Sequence, residues 1–131
     1  MTRSRTARPV FMARLAIALA LLIGTVPLAV AHHGWAWTTG GNIELTGEIT
    51  KAELGNPHGV LSVDVNGEEW LVEVGQPWRN ERAGLKDGDL VEGVDIRVEG
   101  EPSANIEDRR LKAIRLWLGT REFVLYPNRV P

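Results

Sequence analysis

The stretch Val60-Leu-Ser-Val-Asp-Val-Asn-Gly-Glu-Glu-Trp-Leu-Val-Glu-Val74 decides the fold. Apolar residues alternate with polar ones on both sides of Asn66-Gly67, which is the period of a strand with one buried face. An Asn-Gly pair between two such runs is the strongest short-range signal for a β-hairpin with a type I′ turn. The stretch therefore predicts two antiparallel strands, with Trp70, Val72 and Val74 on one face of the second.

The segments on either side of the hairpin extend this pattern. A strand that contains Gly47 is predicted over residues 43–54, and Asn56-Pro57-His58-Gly59 breaks it before the hairpin begins. After the hairpin, Pro77 to Leu85 favours one short helix, because proline is accepted in a first helical turn. Three further strands are predicted, over residues 90–99, 110–118 and 121–126.

The order of these elements indicates a mainly β protein, namely a small OB-like antiparallel β-barrel of five to six strands with one short helix. The first strand of such a barrel must bend to serve both halves of the sheet, which a glycine at position 47 permits. An open antiparallel meander with a helix on one face is the alternative. The residues predicted to be buried include Ile49, Val63, Trp70, Val72, Val94, Ile96, Ile114 and Leu116.

The first 31 residues have the layout of a secretory signal peptide. They contain no acidic residue, and a basic stretch is followed by an apolar run from Leu15 to Val30 and by the small-x-small sequence Ala29-Val30-Ala31. We therefore predict cleavage after Ala31. The alternative is an uncleaved membrane anchor. A membrane span needs about 20 apolar residues, and the apolar run from Leu15 to Val30 is shorter than that. Gly24 and Pro27 also interrupt it.

These patterns divide the chain into three predicted parts. They are a signal peptide over residues 1–31, an N-terminal segment over residues 32–42 and a barrel domain over residues 43–131. We expect a periplasmic or secreted protein without stable membrane insertion after cleavage. Removal of the leader leaves 11 basic against 17 acidic residues, a formal net charge of −6. A chain this acidic repels phosphate backbones, which argues against nucleic-acid binding. The absence of cysteine excludes disulfides and thiolate metal sites.

All three histidines fall in two segments that are predicted to be exposed. Cleavage after Ala31 makes His32 the first residue, with its α-amine beside its own imidazole; His33 follows it, and His58 lies in the turn after the first strand. An α-amine and two imidazoles form a T-shaped set of nitrogen donors, which suits Cu(II). We therefore predict a copper site whose candidate ligands are His32, His33 and His58. His58 or His33 supplies the second imidazole.

This copper site requires the turn at residues 56–59 to lie next to the N-terminal segment. Trp35 and Trp37 are expected to supply that proximity by anchoring residues 34–38 on the barrel. Glu73 is expected to face solvent, because it lies on the side of its strand opposite Trp70. Four basic side chains are expected to be solvated on an edge strand, or else to face an anionic partner: Arg109, Arg110, Lys112 and Arg115.

Several short motifs in this order resemble one family. They are Ala31-His-His-Gly-Trp35, Asn56-Pro57-His58, Trp70-Leu-Val-Glu73 and Leu85-Lys-Asp-Gly-Asp89. The chain resembles the small exported bacterial proteins grouped as domain of unknown function 6152, over nearly all of the mature sequence. The resemblance implies an exported, OB-like β-protein with no settled activity. The tryptophans at positions 35 and 37 depart from the family pattern.

We predict an exported soluble protein that binds copper through its N-terminal histidine, for carriage or buffering, and that is not an enzyme. The alternative is a non-enzymatic OB-like binding module for a small ligand or a cell-envelope component such as an envelope protein. A small copper oxidase is a third hypothesis. Ser62 and Ser103 have no histidine and acid at motif spacing, and no glycine-rich phosphate loop occurs.

Overall fold

The computed structural model describes residues 34–131. The predicted signal peptide, His32 and His33 lie outside the described residues. No helix within residues 34–131 is long and apolar enough to cross a membrane. The elements are β1 (Ile43–Glu53), β2 (Val60–Val65), β3 (Glu68–Glu73), α1 (Pro77–Arg82), β4 (Asp95–Pro102), β5 (Arg110–Leu118), β6 (Arg121–Val124) and a 3₁₀ turn (Pro127–Arg129).

Five strands close into a barrel in the order β1-β2-β3-β5-β4, and β6 is added beside β5. The first half of β1 pairs with β4 and its second half with β2, so that β1 serves both halves of the sheet. The strands β3 and β5 pair in parallel, which closes the barrel and places Glu73 opposite Lys112. The prediction of an OB-like barrel is confirmed, and the open meander is wrong.

The central hairpin has the predicted turn. Asn66 and Gly67 both have positive φ, 55° and 87°, as a type I′ turn requires. The backbone N–H of Gly67 donates to Asp64 Oδ1 at 2.7 Å. This turn sets the register in which Val63 faces Trp70 across the two strands.

The backbone of β2 approaches β1 closely at Gly47, near the point where the pairing of β1 passes from β4 to β2. A Cβ atom at position 47 would overlap the backbone carbonyl of Asp64 on β2, so only glycine allows this approach. The register shifts a little further along, between Ile49 and Lys51, where one extra residue is accommodated. The bulge therefore lies three residues after the predicted position, at Thr50.

We expect Gly47→Ala to lower the free energy of unfolding by about 1–3 kcal/mol, because the backbone of β2 must move to admit a methyl group. Gly55→Ala is the matched control, since a Cβ atom there meets nothing within 4 Å. Urea denaturation of both variants measures the difference. A loss for Gly47→Ala no larger than that for Gly55→Ala would show that β2 does not approach β1 as described.

The core fills the barrel from all five strands. Trp70 and Val94 are only partly buried and pack against this core, whereas Ile114 is buried but lies outside the main cluster. The other predicted core residues are fully buried, one from each barrel strand: Ile49, Val63, Val72, Ile96 and Leu116.

The strand β4 begins five residues later than the alternating pattern predicts. Leu90 is buried, but turns at residues 87–89 and 92–93 precede the strand. Gly88 and Gly93 adopt φ values of 88° and 86° there, which extended chain does not use. Leu90 therefore contributes to the core from a turn.

Candidate functional site

A buried carboxylate on the outer face of the barrel organises the candidate site. Glu73, the last residue of β3, is 2% exposed although it points away from the core-facing Val72. Lys112 Nζ donates to its Oε1 at 2.7 Å, and Arg110 donates to its Oε2 at 2.7 Å. His58 Nε2 lies 3.3 Å from the same Oε2. The expectation that Glu73 faces solvent is wrong.

The closure of the barrel brings these charges together. Glu73 and Lys112 are direct partners in the parallel pairing of β3 with β5. Arg110 lies two residues before Lys112 and therefore shares its face of the strand. Lys112 is 4% exposed. A buried carboxylate and a buried ammonium compensate each other in a place where either one alone would be strongly unfavourable.

His58 reaches Glu73 from the loop between β1 and β2. The loop contains a cis peptide bond between Asn56 and Pro57. Gly59 ties the loop to the chain after β3, since its N–H donates to Gly75 O at 3.1 Å and its carbonyl accepts from Val74 N at 2.9 Å. These bonds hold His58 beside the end of the strand that carries the carboxylate.

The start of the described chain lies over this cluster. Lys112 Nζ donates to the carbonyl oxygen of Gly34 at 3.4 Å and lies 5.0 Å from the centre of the Trp35 ring. The same ring meets Tyr126 edge to face, with centroids 5.0 Å apart. The guanidinium of Arg129 lies 4.0 Å from the Trp35 centroid. The Trp35 ring is thus in contact with Lys112, Tyr126 and Arg129.

A second anchor follows at Trp37 and Thr38. Thr38 forms an isolated β-bridge with the residue after β4, and its Oγ1 donates to Oε2 of the buried Glu101 at 2.5 Å. Arg129 donates to the other oxygen of Glu101 at 2.9 Å. The guanidinium of Arg110 stacks 4.2 Å from the Trp37 ring. The prediction that both tryptophans anchor the N-terminal segment on the barrel is confirmed.

Tyr126 packs against the N-terminal segment through its contact with Trp35. Burial raises the pKa of its hydroxyl above the ordinary value, an effect that the nearby Arg79 and Arg129 oppose and Glu73 supports. The phenol is therefore neutral at physiological pH. The guanidinium carbon of Arg79 lies 4.2 Å from the centre of the Tyr126 ring, which is a cation–π contact. Because Arg79 belongs to α1, this contact joins Tyr126 to the helix.

The basic residues near β5 do not form a solvated edge, because β5 is paired with β4, β3 and β6. Arg109 is paired with Glu68, and Arg110 and Lys112 share Glu73. Arg115 bonds Glu99 at 2.7 Å and Glu122 at 3.2 Å, and the hydrogen bond to Glu99 raises its pKa above the ordinary value. The edge-strand interpretation is therefore wrong.

The structure thus places one of the three predicted copper ligands. His58 is in contact with Glu73, while His32 and His33 precede the first described residue, Gly34, by two positions and one position. Within residues 34–131 no three His, Asp or Glu side chains form a group that could hold a metal ion. The roles of Glu73, Lys112 and Glu101 were not predicted from the sequence. The parallel pairing of the third and fifth strands in a closed barrel is the signal that could have brought Glu73 and Lys112 together.

The Family of unknown function (DUF6152) matches residues 20–111 of the chain. The chain belongs to this family. The DUF6152 match takes in the loop with His58, the carboxylate of Glu73 and the segment anchored by Trp35 and Trp37. No curated protein matches the chain.

Solved structures with a related chain path are distant from this DUF6152 protein. A chain of the S. pombe Stn1–Ten1 complex has a TM-score of 0.46 and 19% identity, with 61% of this chain and 59% of that chain covered. A chain of the complex of TiaS with an isoleucine tRNA and ATP has a TM-score of 0.45 and 14% identity, with coverages of 59% and 18%. The DUF6152 chain thus spans about three fifths of the first and under a fifth of the second. At these scores neither likeness bears on function.

Proposed function

We propose that the protein is exported and binds one copper ion at its mature N-terminus, for carriage or buffering. The observation that carries this proposal is the link from Gly34 through Lys112 and Glu73 to His58. Through these contacts the first described residue, Gly34, belongs to the same side-chain network as His58, which supports a site shared by the N-terminus and the loop at residues 56–59.

The ligand set in this proposal is the α-amine of His32, its imidazole and the imidazole of His58. The His58 imidazole contacts Glu73 through Nε2, at 3.3 Å from Oε2. If His58 does not take part, His33 supplies the second imidazole and the site is local to the terminus. Amine and imidazole nitrogens bind Cu(II) more tightly than they bind the other divalent first-row metals.

We expect an additional methionine before His32 to remove most of the copper affinity and to leave the fold intact. The extra residue moves the α-amine away from the His32 imidazole and destroys the chelate, while Trp35 and Trp37 remain in place. Calorimetric titration with Cu(II) compares the chain that begins at His32, the Met-extended chain and His58→Ala. Urea denaturation of the three proteins checks that stability is unchanged.

The pattern of losses identifies the site. One copper per chain, lost in the Met-extended form and weakened in His58→Ala, supports the full ligand set. Loss in the Met-extended form alone assigns the second imidazole to His33. Equal affinity in the authentic and Met-extended chains would rule out a site at the terminus.

A second candidate function is a binding module for a small ligand, and a cleft beside α1 favours it. The cleft has a volume of about 530 Å³, which lies within the ordinary range for ligand sites. Absence of copper binding in all three proteins would favour this function. The cleft is lined by Leu54, Pro77, Asn80, Glu81, Leu85, Lys86, Asp87 and Leu90.

A further inference from the structure

We propose that the barrel carries a peptide-binding groove, which residues 34–39 fill as a detachable strap and which also accepts a separate peptide with the pattern Trp-x-Trp-Thr. The strap is residues 34–39 throughout. The groove consists of the side chains that contact it from β5, from the end of β4 and from the 3₁₀ turn at the C-terminus. The proposal goes beyond the proposed function, because it involves no metal.

The two tryptophans of the strap are the side chains that the groove binds. The Trp35 ring meets the cations of Lys112 and Arg129, which lie 5.0 Å and 4.0 Å from its centroid. The guanidinium of Arg110 lies 4.2 Å from the centroid of Trp37. Tryptophan is the aromatic side chain for which contacts with cations are strongest. The groove is therefore suited to two tryptophans placed two residues apart.

The strap has a local fold that presents these side chains together. Trp35 O accepts from the backbone N–H of Thr38 at 3.2 Å, so residues 35–38 form a turn. Trp35, Trp37 and Thr38 are partly buried on the barrel, whereas Ala36 is exposed. The Thr38 hydroxyl bonds the buried carboxylate of Glu101. The pattern that the groove reads is thus Trp-x-Trp-Thr, with a free choice of residue at the position of Ala36.

The strap is attached to the outside of the barrel and is not part of its core. Among the described residues, the core cluster and the side chains packed against it include neither Trp35 nor Trp37. Within residues 34–131, two backbone hydrogen bonds join the strap to the barrel. They run from Thr39 N to Pro102 O at 3.0 Å and from Ala104 N to Trp37 O at 2.9 Å. Departure of the strap therefore leaves the core closed.

The charges of the groove remain paired when the strap leaves. Glu101 on β4 is the register partner of Lys112 on β5, which is in turn the partner of Glu73 on β3. Glu73 is bonded to Lys112 and Arg110, and Glu101 is bonded to Arg129 at 2.9 Å. Each carboxylate of this row keeps a cation from the barrel itself. The groove can therefore stand open without an unpaired buried charge, whose cost would otherwise be large.

The test cuts the full chain between the strap and β1. A protease recognition sequence is inserted between Gly40 and Gly41, which are both exposed, and a Cβ atom at Gly40 would meet nothing within 4 Å. The cut protein is dialysed against a fluorescein-labelled peptide with the sequence of residues 34–41, and binding is measured by fluorescence anisotropy. The matched control peptide carries Trp35→Ala and Trp37→Ala.

We expect the cut protein to stay folded and to exchange its strap for one labelled peptide per chain. The control peptide should bind about 10–100-fold more weakly, because it lacks both aromatic anchors. The uncut chain should bind the labelled peptide at least about tenfold more weakly than the cut chain does, because its own strap is present at a high effective concentration. Circular dichroism of the cut protein checks the fold.

Two variants of the cut protein test the groove side. Arg129→Lys keeps a cation for Glu101 but loses the planar group that lies on Trp35, so we expect about threefold to tenfold weaker peptide binding. Arg97→Lys is the matched control, because Arg97 makes the same kind of contact with Trp117, at 3.9 Å, and Trp117 is not part of the groove. Arg97→Lys is expected to bind the peptide as the unsubstituted cut protein does.

Three results would overturn the proposal. Unfolding of the cut protein when the strap leaves, or retention of the strap without any exchange for labelled peptide, would make the strap a fixed part of the fold. Equal affinity for the two peptides would mean that the tryptophans are not what the groove binds. Equal peptide affinity in Arg129→Lys and Arg97→Lys would remove the assigned contact with Trp35.

Discussion

Glu73→Leu is expected to lower the free energy of unfolding by about 3–5 kcal/mol, the cost of breaking a buried ion pair from one side. The side chain of Lys112 is 5% exposed and would lose the carboxylate that compensates its charge. The side chain of Arg110 is 36% exposed, so it can turn to water and suffers less. Urea denaturation measures the loss.

The companion variant shows whether the buried ammonium causes this loss. Adding Lys112→Met to Glu73→Leu removes the unpaired charge, so most of the lost stability should return. A double variant as unstable as Glu73→Leu alone would place the loss in packing rather than in the charge. A loss well under about 1 kcal/mol for Glu73→Leu would mean that Lys112 reaches solvent.

The second large effect concerns the barrel core. We expect Ile96→Ala to cost about 2–5 kcal/mol, because removal of a large buried side chain leaves a cavity that the barrel cannot close. Ile96 is 1% exposed and lies in the main cluster, and the chain has no cysteine that could form a stabilising disulfide. Such a loss is a large share of the stability of a small domain.

Ile43→Ala is the control for this experiment, since Ile43 is 36% exposed at the start of β1. Surface substitutions of this kind usually change stability by less than about 0.5 kcal/mol. Both variants are compared by urea denaturation. Similar losses for Ile96→Ala and Ile43→Ala would contradict the assignment of Ile96 to the core.

The barrel could be predicted because the patterns that indicate its strands and turns lie within short stretches of sequence. The Asn66-Gly67 turn fixes one hairpin, and alternation gives the faces of β2 and β3 directly. Gly47 marks the close approach of β2 to β1. The start of β4 could not be predicted from alternation, because Leu90 is buried from a turn and has the same apolar signal as a strand residue.

The candidate site depends on contacts between distant parts of the chain. Alternation assigns Glu73 to the outer face correctly, but Gly34 and Trp35 are about forty residues away in sequence, and no local pattern shows that they cover it. The burial of Lys112 could not be predicted either, because its partner Glu73 is also distant in sequence. His58 was singled out from the sequence because it is one of only three histidines in the chain, whereas its contact with Glu73 follows only from the closure of the barrel.

The central claim is that the α-amine and imidazole of His32 and the imidazole of His58 share one copper ion. Electron paramagnetic resonance of the chain that begins at His32, loaded with one equivalent of Cu(II), tests it most directly. The predicted spectrum shows coupling to three nitrogens, of which ¹⁵N-labelling confined to the histidine rings assigns two to imidazole, and it changes in His58→Ala. An identical spectrum from the authentic chain, the Met-extended chain and His58→Ala would contradict the claim.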